Sequence, residues 1–295
     1  MTNVTLDELN RMDNRAFVAA LGDVFEHTPW AAEAVQGARP FASLNALYDS
    51  MTAAVRNASD ARQMTLIKSH PDLAGKAARE GAITDDSKLE QSSARLDQLS
   101  ADEFAAFHRL NDSYHAKFDI PFIVSVRRHG KESILREFEK RLRNDAAAER
   151  EAALSEIFRI VALRLDQRIS APDRLKVHGV LSTHVLDTHG GRPAAGVGIE
   201  FFEVASSGIM HLLSRTVTNA DGRTDRPLIA EQPIPIAQYE LRFDVGPYFA
   251  RHGATVADPP FLGVVPIRFA VSDPEAHYHV PILVTPWSYS TYRGS

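Results

Sequence analysis

The 295-residue chain contains no cysteine. This absence excludes disulfide bonds, thiolate nucleophiles and thiolate metal sites, and it fits a reducing compartment. No run approaches the about 18 apolar residues of a membrane span, and the opening residues lack the apolar core of a secretory signal. Since 33 Lys and Arg face 38 Asp and Glu, no basic excess points to nucleic acid or an anionic membrane. We therefore expect no nucleic-acid partner and no membrane partner.

Proline and glycine are scarce in the first part of the chain. Residues 1–175 hold five of the 16 prolines and five of the 16 glycines, whereas residues 176–295 hold eleven of each. Helices exclude these residues, and turns between strands collect them. The sequence therefore predicts two globular domains of different class, a helical domain over 1–170 and a β domain over 178–295, joined by a linker at 171–177.

The first region carries the signals of an all-α helical bundle. Capping boxes at Thr5–Glu8 and Ser100–Glu103 each open a helix, the second running to about Phe118. Apolar residues at helical spacing predict further helices. These cover a stripe of Phe17, Leu21, Val24 and Phe25 and the ranges 41–55, 60–69, 131–143 and 146–168. Ile120–Val124 is a short apolar break whose residues are typical of strands.

Three polar residues stand out near helix breaks: His70, Glu90 and Arg164. Each also has an ordinary explanation. A His at the end of a helix and a Glu in a first turn both stabilise the helix dipole. An Arg away from the apolar stripe of a terminal helix is usually solvated.

A resemblance gives these residues a context. Four strings follow one another along the chain: Phe25-Glu26-His27-Thr28-Pro29-Trp30, His70-Pro71-Asp72-Leu73-Ala74, Glu90-Gln91 and Phe122-Ile123-Val124. On these strings, residues 8–168 resemble the 2-oxo-4-hydroxy-4-carboxy-5-ureidoimidazoline (OHCU) decarboxylase family. The resemblance implies an all-helical fold, no metal or organic cofactor, and catalysis by His70, Glu90 and Arg164. It implies substrate contacts at Pro71, Ser87, Gln91, Phe122, Ile123 and Val124.

These residue types suit a decarboxylation. Loss of CO2 leaves negative charge on a carbon that must be stabilised and then protonated. We expect Arg164 to present a planar cation to substrate oxygens. We expect His70 and Glu90 to share a proton, orient the carboxylate and deliver a proton to one face of the carbanion.

From Val177 onwards the apolar residues alternate with the period of two that predicts strands. Clear examples are Tyr239-Leu241-Phe243-Val245 and Tyr278-Val280-Ile282-Val284. Turn-forming clusters at 190–193, 219–222 and 258–260 separate short strands, and this spacing is typical of an all-β sandwich. The second alternation places His277 and His279 together on the opposite face of their strand.

Histidines are dense in this region, with seven of the chain's 12 at or after His178. The pair His277 and His279 could bind a metal with His184 or Asp187 as a third ligand. It could instead serve in acid–base chemistry or be an edge-strand pair without function. The residue pattern leaves these alternatives open.

A second resemblance bears on this choice. Leu181-Ser182-Thr183-His184-Val185-Leu186-Asp187, Thr218–Arg223, Ala276–Pro281 and the terminal Tyr292-Arg293-Gly294-Ser295 resemble 5-hydroxyisourate hydrolase, the transthyretin-like enzyme, over 178–295. The terminal string separates this enzyme from transthyretin, a hormone carrier. The resemblance implies catalysis without metal by His184, Arg223 and His279, with Tyr292 and Ser295 lining the site and His277 behind it. It also implies a homotetramer assembled through the β domain.

As a whole, the chain resembles bifunctional allantoin synthases, which join these activities. The small-molecule substrates are then 5-hydroxyisourate and OHCU, and the product is (S)-allantoin. We find no complete peroxisomal signal in the linker or in the last tripeptide and expect a cytoplasmic location. In the alternative, only one domain is catalytic and the other is a carrier or an oligomerisation module.

Overall fold

The computed structural model describes residues 4–74, 85–254 and 257–294. The chain divides into two compact units. The first takes residues 1–127 and 133–177, and the second takes residues 128–132 and 178–295. Helices build the first unit and two β-sheets build the second, which confirms the predicted fold class.

Nine described helices lie in or at the edge of the first unit. They are α1 Leu6–Arg11, α2 Asn14–Leu21, α3 Trp30–Val35, α4 Leu44–Arg56, α5 Asp60–Lys68, α6 Asp85–Ser93, α7 Ala101–Phe118, α8 Lys131–Arg141 and α9 Ala146–Arg168. Thr5 and Ser100 make the predicted capping boxes at α1 and α7. The bounds predicted for α9 are confirmed. None of the described helices is long and apolar enough to cross a bilayer.

The stripe that begins at Phe17 extends beyond its helix. Helix α2 ends at Leu21, and Val24 and Phe25 lie in the following turn, although both are buried. Glu26 has a φ of 53°, in the left-handed region, so no right-handed helix passes through it. The prediction of one continuous helical stripe is therefore wrong at its end.

Helix α9 is more deeply buried than a terminal helix usually is. The sequence predicts one apolar stripe, but every residue from Ile160 to Asp166 is buried. Arg164 is 3% exposed, which rules out the ordinary alternative of a solvated side chain. After α9, strand β2 (Ile169–Ser170) pairs in parallel with strand β1 (Val4–Thr5), a contact too short to be read from the sequence.

Residues 171–177 pack onto the helical unit. The Asp173 carboxylate accepts hydrogen bonds from the backbone N–H groups of Leu44 and Asn45 at 2.9 and 3.0 Å, at the start of α4. Leu175 and Val177 are buried in the helical core. The segment is therefore held by polar and apolar contacts along its length.

The second unit contains two sheets. Its strands are β3 Gly179–Asp187, β4 Arg192–Pro193, β5 Gly198–Val204, β6 Met210–Val217, β7 Ile229–Gln232, β8 Ala237–Asp244, β9 Val264–Val271, β10 His277–Val284 and β11 Tyr289–Thr291. One sheet has the order β11-β10-β3-β4, with β7 also paired to β3, and the other has the order β6-β5-β8-β9. The inward residues form one apolar core.

The two predicted alternations occupy β8 and β10. Tyr278, Val280, Ile282 and Val284 are buried, and His277 is exposed on the other face. The first alternation ends earlier than predicted. Val245 begins a short helix, α10 (Val245–Arg251), although its side chain remains in the core.

The segment Ile120–Val124, between α7 and α8, forms no strand, because side chains take the place of a partner strand. Arg141 donates from Nη1 to the Ile123 carbonyl at 2.5 Å, and Glu156 accepts from the Ser125 N–H at 2.8 Å. The Arg141 guanidinium also lies 4.6 Å from the centre of the Phe122 ring. The segment is thus fixed by α8 and α9.

Arg141 itself depends on a buried acidic partner. Glu149 accepts from Arg141 Nε at 2.9 Å and from the hydroxyl of Tyr114, and Asn144 donates to its second oxygen at 2.8 Å. The Glu149 side chain is fully buried. Removing one partner of a buried ion pair leaves an uncompensated charge, which costs about 3–5 kcal/mol.

We therefore predict that Glu149→Ala lowers the free energy of unfolding of the helical unit by about 3–5 kcal/mol. The matched control is Glu151→Ala on the same helix, whose partner Arg56 is on the surface and whose side chain is 57% exposed. We expect it to cost less than about 1 kcal/mol. Denaturant unfolding followed by far-ultraviolet circular dichroism measures both, and equal effects would contradict this account of Glu149.

Candidate active sites

A pocket lies among the helices of the first unit. It contains all nine residues that the sequence assigns to decarboxylation, together with three apolar neighbours. Its walls are His70, Pro71, Leu73, Ser87, Glu90, Gln91, Phe122, Ile123, Val124, Val126, Ile160 and Arg164. The pocket lies where the end of α5, helix α6, the fixed segment after α7 and helix α9 meet.

Arg164 uses its whole guanidinium on protein groups. Nε and Nη2 donate to the two oxygens of Glu90 at 2.8 and 2.9 Å. Nη1 donates to Glu26 at 2.7 Å and to the Val24 carbonyl at 3.3 Å, and Nη2 also reaches Ser87 Oγ at 3.4 Å. The sequence predicts that Arg164 presents a planar cation to substrate oxygens. In the structure, its N–H groups donate to protein acceptors instead. Here Arg164 anchors carboxylates.

Glu26, which was not predicted as a site residue, contacts two residues of the pocket wall, Ser87 and Arg164. It is 1% exposed, and it accepts from Ser87 Oγ at 2.8 Å as well as from Arg164. Burial acts to raise the pKa of Glu26, but Arg164 and these hydrogen bonds outweigh burial and lower it. A signal was present, because Glu26 stands within the string Phe25–Trp30 that carries the resemblance.

Glu90 shows the opposite balance. Burial raises the pKa of Glu90, and Arg164 offsets this only in part, since the negative charges of Glu26 and Asp86 act in the same direction as burial. Glu90 therefore holds a proton more readily than an exposed Glu does.

His70 is held as a neutral base. Its Nδ1 lies 3.0 Å from the Leu66 carbonyl oxygen, which can only accept, so Nδ1 carries the proton. Nε2 is buried and has no hydrogen-bond partner among the described residues. Burial lowers the pKa of His70 to about 4, although Glu26 opposes this. No hydrogen bond joins His70 to Glu90, so the expected shared proton is not seen in the structure.

The loop after His70 is fixed from two sides. Gln91 accepts from the Ala74 N–H at 3.1 Å through Oε1, and Asn111 donates to the Leu73 carbonyl at 2.9 Å. This leaves the amide nitrogen of Gln91, which lines the pocket, for a ligand.

A second group of residues meets on β3 and β10 of the β unit. These strands pair in parallel, with Ser182 opposite His279 and His184 opposite Pro281. Val185 N–H donates to the Gly222 carbonyl at 2.8 Å, which brings the turn at 219–223 beside β3 and pairs His184 with Arg223.

The end of the chain lies beside the same strands. Gly294 N–H donates to the His279 carbonyl at 2.8 Å. A Cβ at Gly294 would lie 2.8 Å from Cδ2 of the His279 ring, so this position accepts only glycine without displacing the ring.

The two histidines of this group favour their neutral forms. Burial lowers the pKa of His184, and the positive charge of Arg223 adds to the effect, while the Asp221 backbone opposes it. Burial likewise lowers the pKa of His279, with Arg223, His184 and His277 acting in the same direction. Nε2 of His184 is buried without a partner among the described residues. The group therefore offers neutral imidazoles beside the positive charge of Arg223.

Other residues proposed for this region lie in different places. Asp187 faces the core, where it accepts from the Tyr248 hydroxyl at 3.0 Å, so it cannot join the histidines as a metal ligand. Within the described ranges, no three His, Asp or Glu side chains are grouped to hold a metal. Tyr292 is 58% exposed. Ser295 lies outside the described residues.

Comparisons with known proteins identify both halves of the chain. The OHCU decarboxylase family matches residues 10–166, and the HIUase/transthyretin family matches residues 181–294. The 5-hydroxyisourate hydrolase of Halalkalibacterium halodurans is 52% identical over 117 residues, which is 40% of this chain and 98% of that protein.

The 2-oxo-4-hydroxy-4-carboxy-5-ureidoimidazoline decarboxylase of Haloferax volcanii is 38% identical over 171 residues, covering 58% of this chain and 99% of that protein. A crystal structure of (S)-allantoin synthase is similar over 99% of this chain and 100% of its own, with 31% identity and a TM-score of 0.53. The chain therefore belongs to the OHCU decarboxylase family in its first part and to the HIUase/transthyretin family in its second, and it is a bifunctional enzyme of urate degradation that hydrolyses 5-hydroxyisourate and decarboxylates OHCU to (S)-allantoin.

Proposed function

We propose that the two reactions take place at two separate sites. His70, Glu90 and Arg164 carry the decarboxylation, and His184, Arg223 and His279 carry the hydrolysis. The observation that best supports this division is the bare, buried Nε2 of His70 in a pocket lined by all the residues assigned to decarboxylation. A base that is neutral and unpartnered is ready to accept a proton from a ligand.

In the decarboxylase site, the acid and the base have pKa values moved in opposite directions. His70 accepts a proton or hydrogen bond from the substrate through Nε2. Once CO2 has left, Glu90 supplies a proton to one face of the carbanion, because burial raises its pKa. Arg164 holds Glu90 at this position through two hydrogen bonds. The substrate-binding walls are Pro71, Ser87, Gln91, Phe122, Ile123 and Val124.

In the hydrolase site, an imidazole of His184 or His279 takes a proton from the attacking water. Arg223 stabilises the oxyanion that forms when hydroxide adds to the carbonyl carbon. Tyr292 and Ser295 line the site in this proposal. Burial and the charge of Arg223 lower the pKa values of His184 and His279, which supports this proposal because only a neutral imidazole can act as a base.

We also propose the domain bounds, the cellular location and the oligomeric state. We place the domains at 1–170 and 178–295 with a linker at 171–177. We propose a cytoplasmic homotetramer assembled through the sandwich. The exposed apolar residues Leu212, Leu213 and Val217 on edge strand β6 support self-association.

Light scattering on the full chain tests the homotetramer. We expect the mass of four chains, and the mass of a monomer would contradict the proposal.

The separation of the sites predicts separable losses of activity. His70→Ala should lower OHCU decarboxylation by at least about 100-fold and leave hydrolysis intact, because its base is removed. His184→Ala and His279→Ala should each lower hydrolysis and leave decarboxylation intact. Urate oxidase with urate generates the first intermediate, and absorbance and circular dichroism follow both steps and the chirality of allantoin.

The control for this experiment is His189→Ala, an exposed histidine in the turn after β3. It should change neither activity. Loss of both activities in a folded His70→Ala chain would contradict the two-site proposal, and so would full decarboxylation by that variant.

The close approach of Gly294 to His279 gives a second prediction. Gly294→Ala should lower hydrolysis by about 10-fold or more, because the new Cβ displaces the imidazole from its position. Gly198→Ala is the matched control, since its Cβ would meet its nearest neighbour at an ordinary 3.6 Å. Equal hydrolysis rates in both variants would show that the position of the His279 ring is not critical.

A further inference from the structure

A serine hydroxyl joins two histidines on the face of β3 and β10. Ser182 Oγ lies 3.0 Å from Nδ1 of His279 and 3.1 Å from Nε2 of His277. His277 is exposed, whereas His279 is partly buried. The three side chains therefore form a continuous path of hydrogen bonds from the site toward the surface.

The path has two arrangements, because a hydroxyl carries one proton. In one, Ser182 donates to His279 Nδ1 and accepts from His277 Nε2–H, so the proton of neutral His279 is on Nε2. In the other, His279 Nδ1–H donates to Ser182, which donates to His277 Nε2. Only the second arrangement leaves Nε2 of His279 as a free base.

The charges around His279 favour moving a proton away from it. Burial acts most strongly against a positive charge on the His279 ring, and Arg223, His184 and His277 act in the same direction. An imidazolium that stayed at His279 would therefore be disfavoured. The exposed ring of His277 is solvated and can pass the proton to water.

We propose that Ser182 and His277 form a proton relay that makes His279, rather than His184, the base of the hydrolysis. Water gives its proton to Nε2 of His279, and its hydroxide forms the new C–O bond to the substrate carbonyl. His279 Nδ1 gives its proton to Ser182 Oγ, which gives its own proton to His277 Nε2. His279 and Ser182 end neutral, and His277 carries the charge until it releases a proton to solvent.

This inference rests on the proposed catalytic role of His279, and Ser182 and His277 act only through that residue. Ser182→Ala removes the bridge, Ser182→Thr keeps a hydroxyl, and His277→Ala removes the final acceptor. Ser207→Ala and His189→Ala, both exposed residues in turns, are the matched controls. Near-ultraviolet circular dichroism and the mass in solution report that the β unit of each variant is folded, and decarboxylation by the same chain reports that the helical unit is.

The measurement is kcat and KM for 5-hydroxyisourate, with the uncatalysed rate subtracted. We expect Ser182→Ala and His277→Ala to lower kcat by about 10- to 100-fold, the same size of loss as when the hydrogen-bond partner of a metal-bound histidine is removed. KM should stay nearly constant, and Ser182→Thr should recover most of kcat. Added imidazole should restore kcat to His277→Ala in a saturable manner, which a structural defect would not allow.

The two proposals fail in different ways. If His279→Ala is inactive but Ser182→Ala keeps the parental kcat, or if imidazole does not rescue His277→Ala, the relay is wrong and the proposed site stands. If His279→Ala keeps its hydrolysis, the proposed catalytic role itself is wrong.

Discussion

One buried guanidinium organises the decarboxylase pocket. Arg164 binds Glu90 on α6 and Glu26 in the turn after α2, and it also reaches Ser87 and the Val24 carbonyl. Two carboxylates buried this closely would repel each other without it, and an unpaired buried charge costs about 3–5 kcal/mol. The contacts of Arg164 thus hold both acids in position and lower the pKa of Glu26, while burial still raises the pKa of Glu90. The segment held by Arg141 forms another wall of the same pocket.

Both sites use burial to keep histidines neutral. In the helical unit, burial lowers the pKa of His70 to about 4 and raises the pKa of Glu90, so the proposed base stays neutral while the proposed acid keeps its proton more readily. In the β unit, burial and Arg223 together lower the pKa values of His184 and His279. A protonated imidazole cannot accept a proton. The proposed roles of these histidines as bases therefore depend on their lowered pKa values. The chain contains no cysteine, so these groups must act without thiolates.

Local patterns predicted the parts of the fold that local physics determines. The capping boxes at Thr5 and Ser100, the bounds of α9 and the period-two strands are confirmed, since each depends on a few neighbouring residues. The burial of Arg164 could not be predicted from local pattern, because it depends on Glu26 and Glu90, which are more than 70 positions away along the chain. Glu26 was missed for the same reason. Ile120–Val124 has residues typical of strands, and only the side chains of Arg141 and Glu156 explain why it pairs with none.

The central claim is that His70 is a neutral base whose free nitrogen is Nε2. Nitrogen-15 NMR of histidine-labelled protein tests this directly, with His70→Ala used to assign the signal. The unfolded chain takes up this proton near pH 6.5, whereas the folded chain does so only near pH 4. We therefore predict an Nδ1–H tautomer that persists through pH 6 and titrates near pH 4. An Nε2–H tautomer, or a midpoint at the ordinary value of 6.5, would contradict the account.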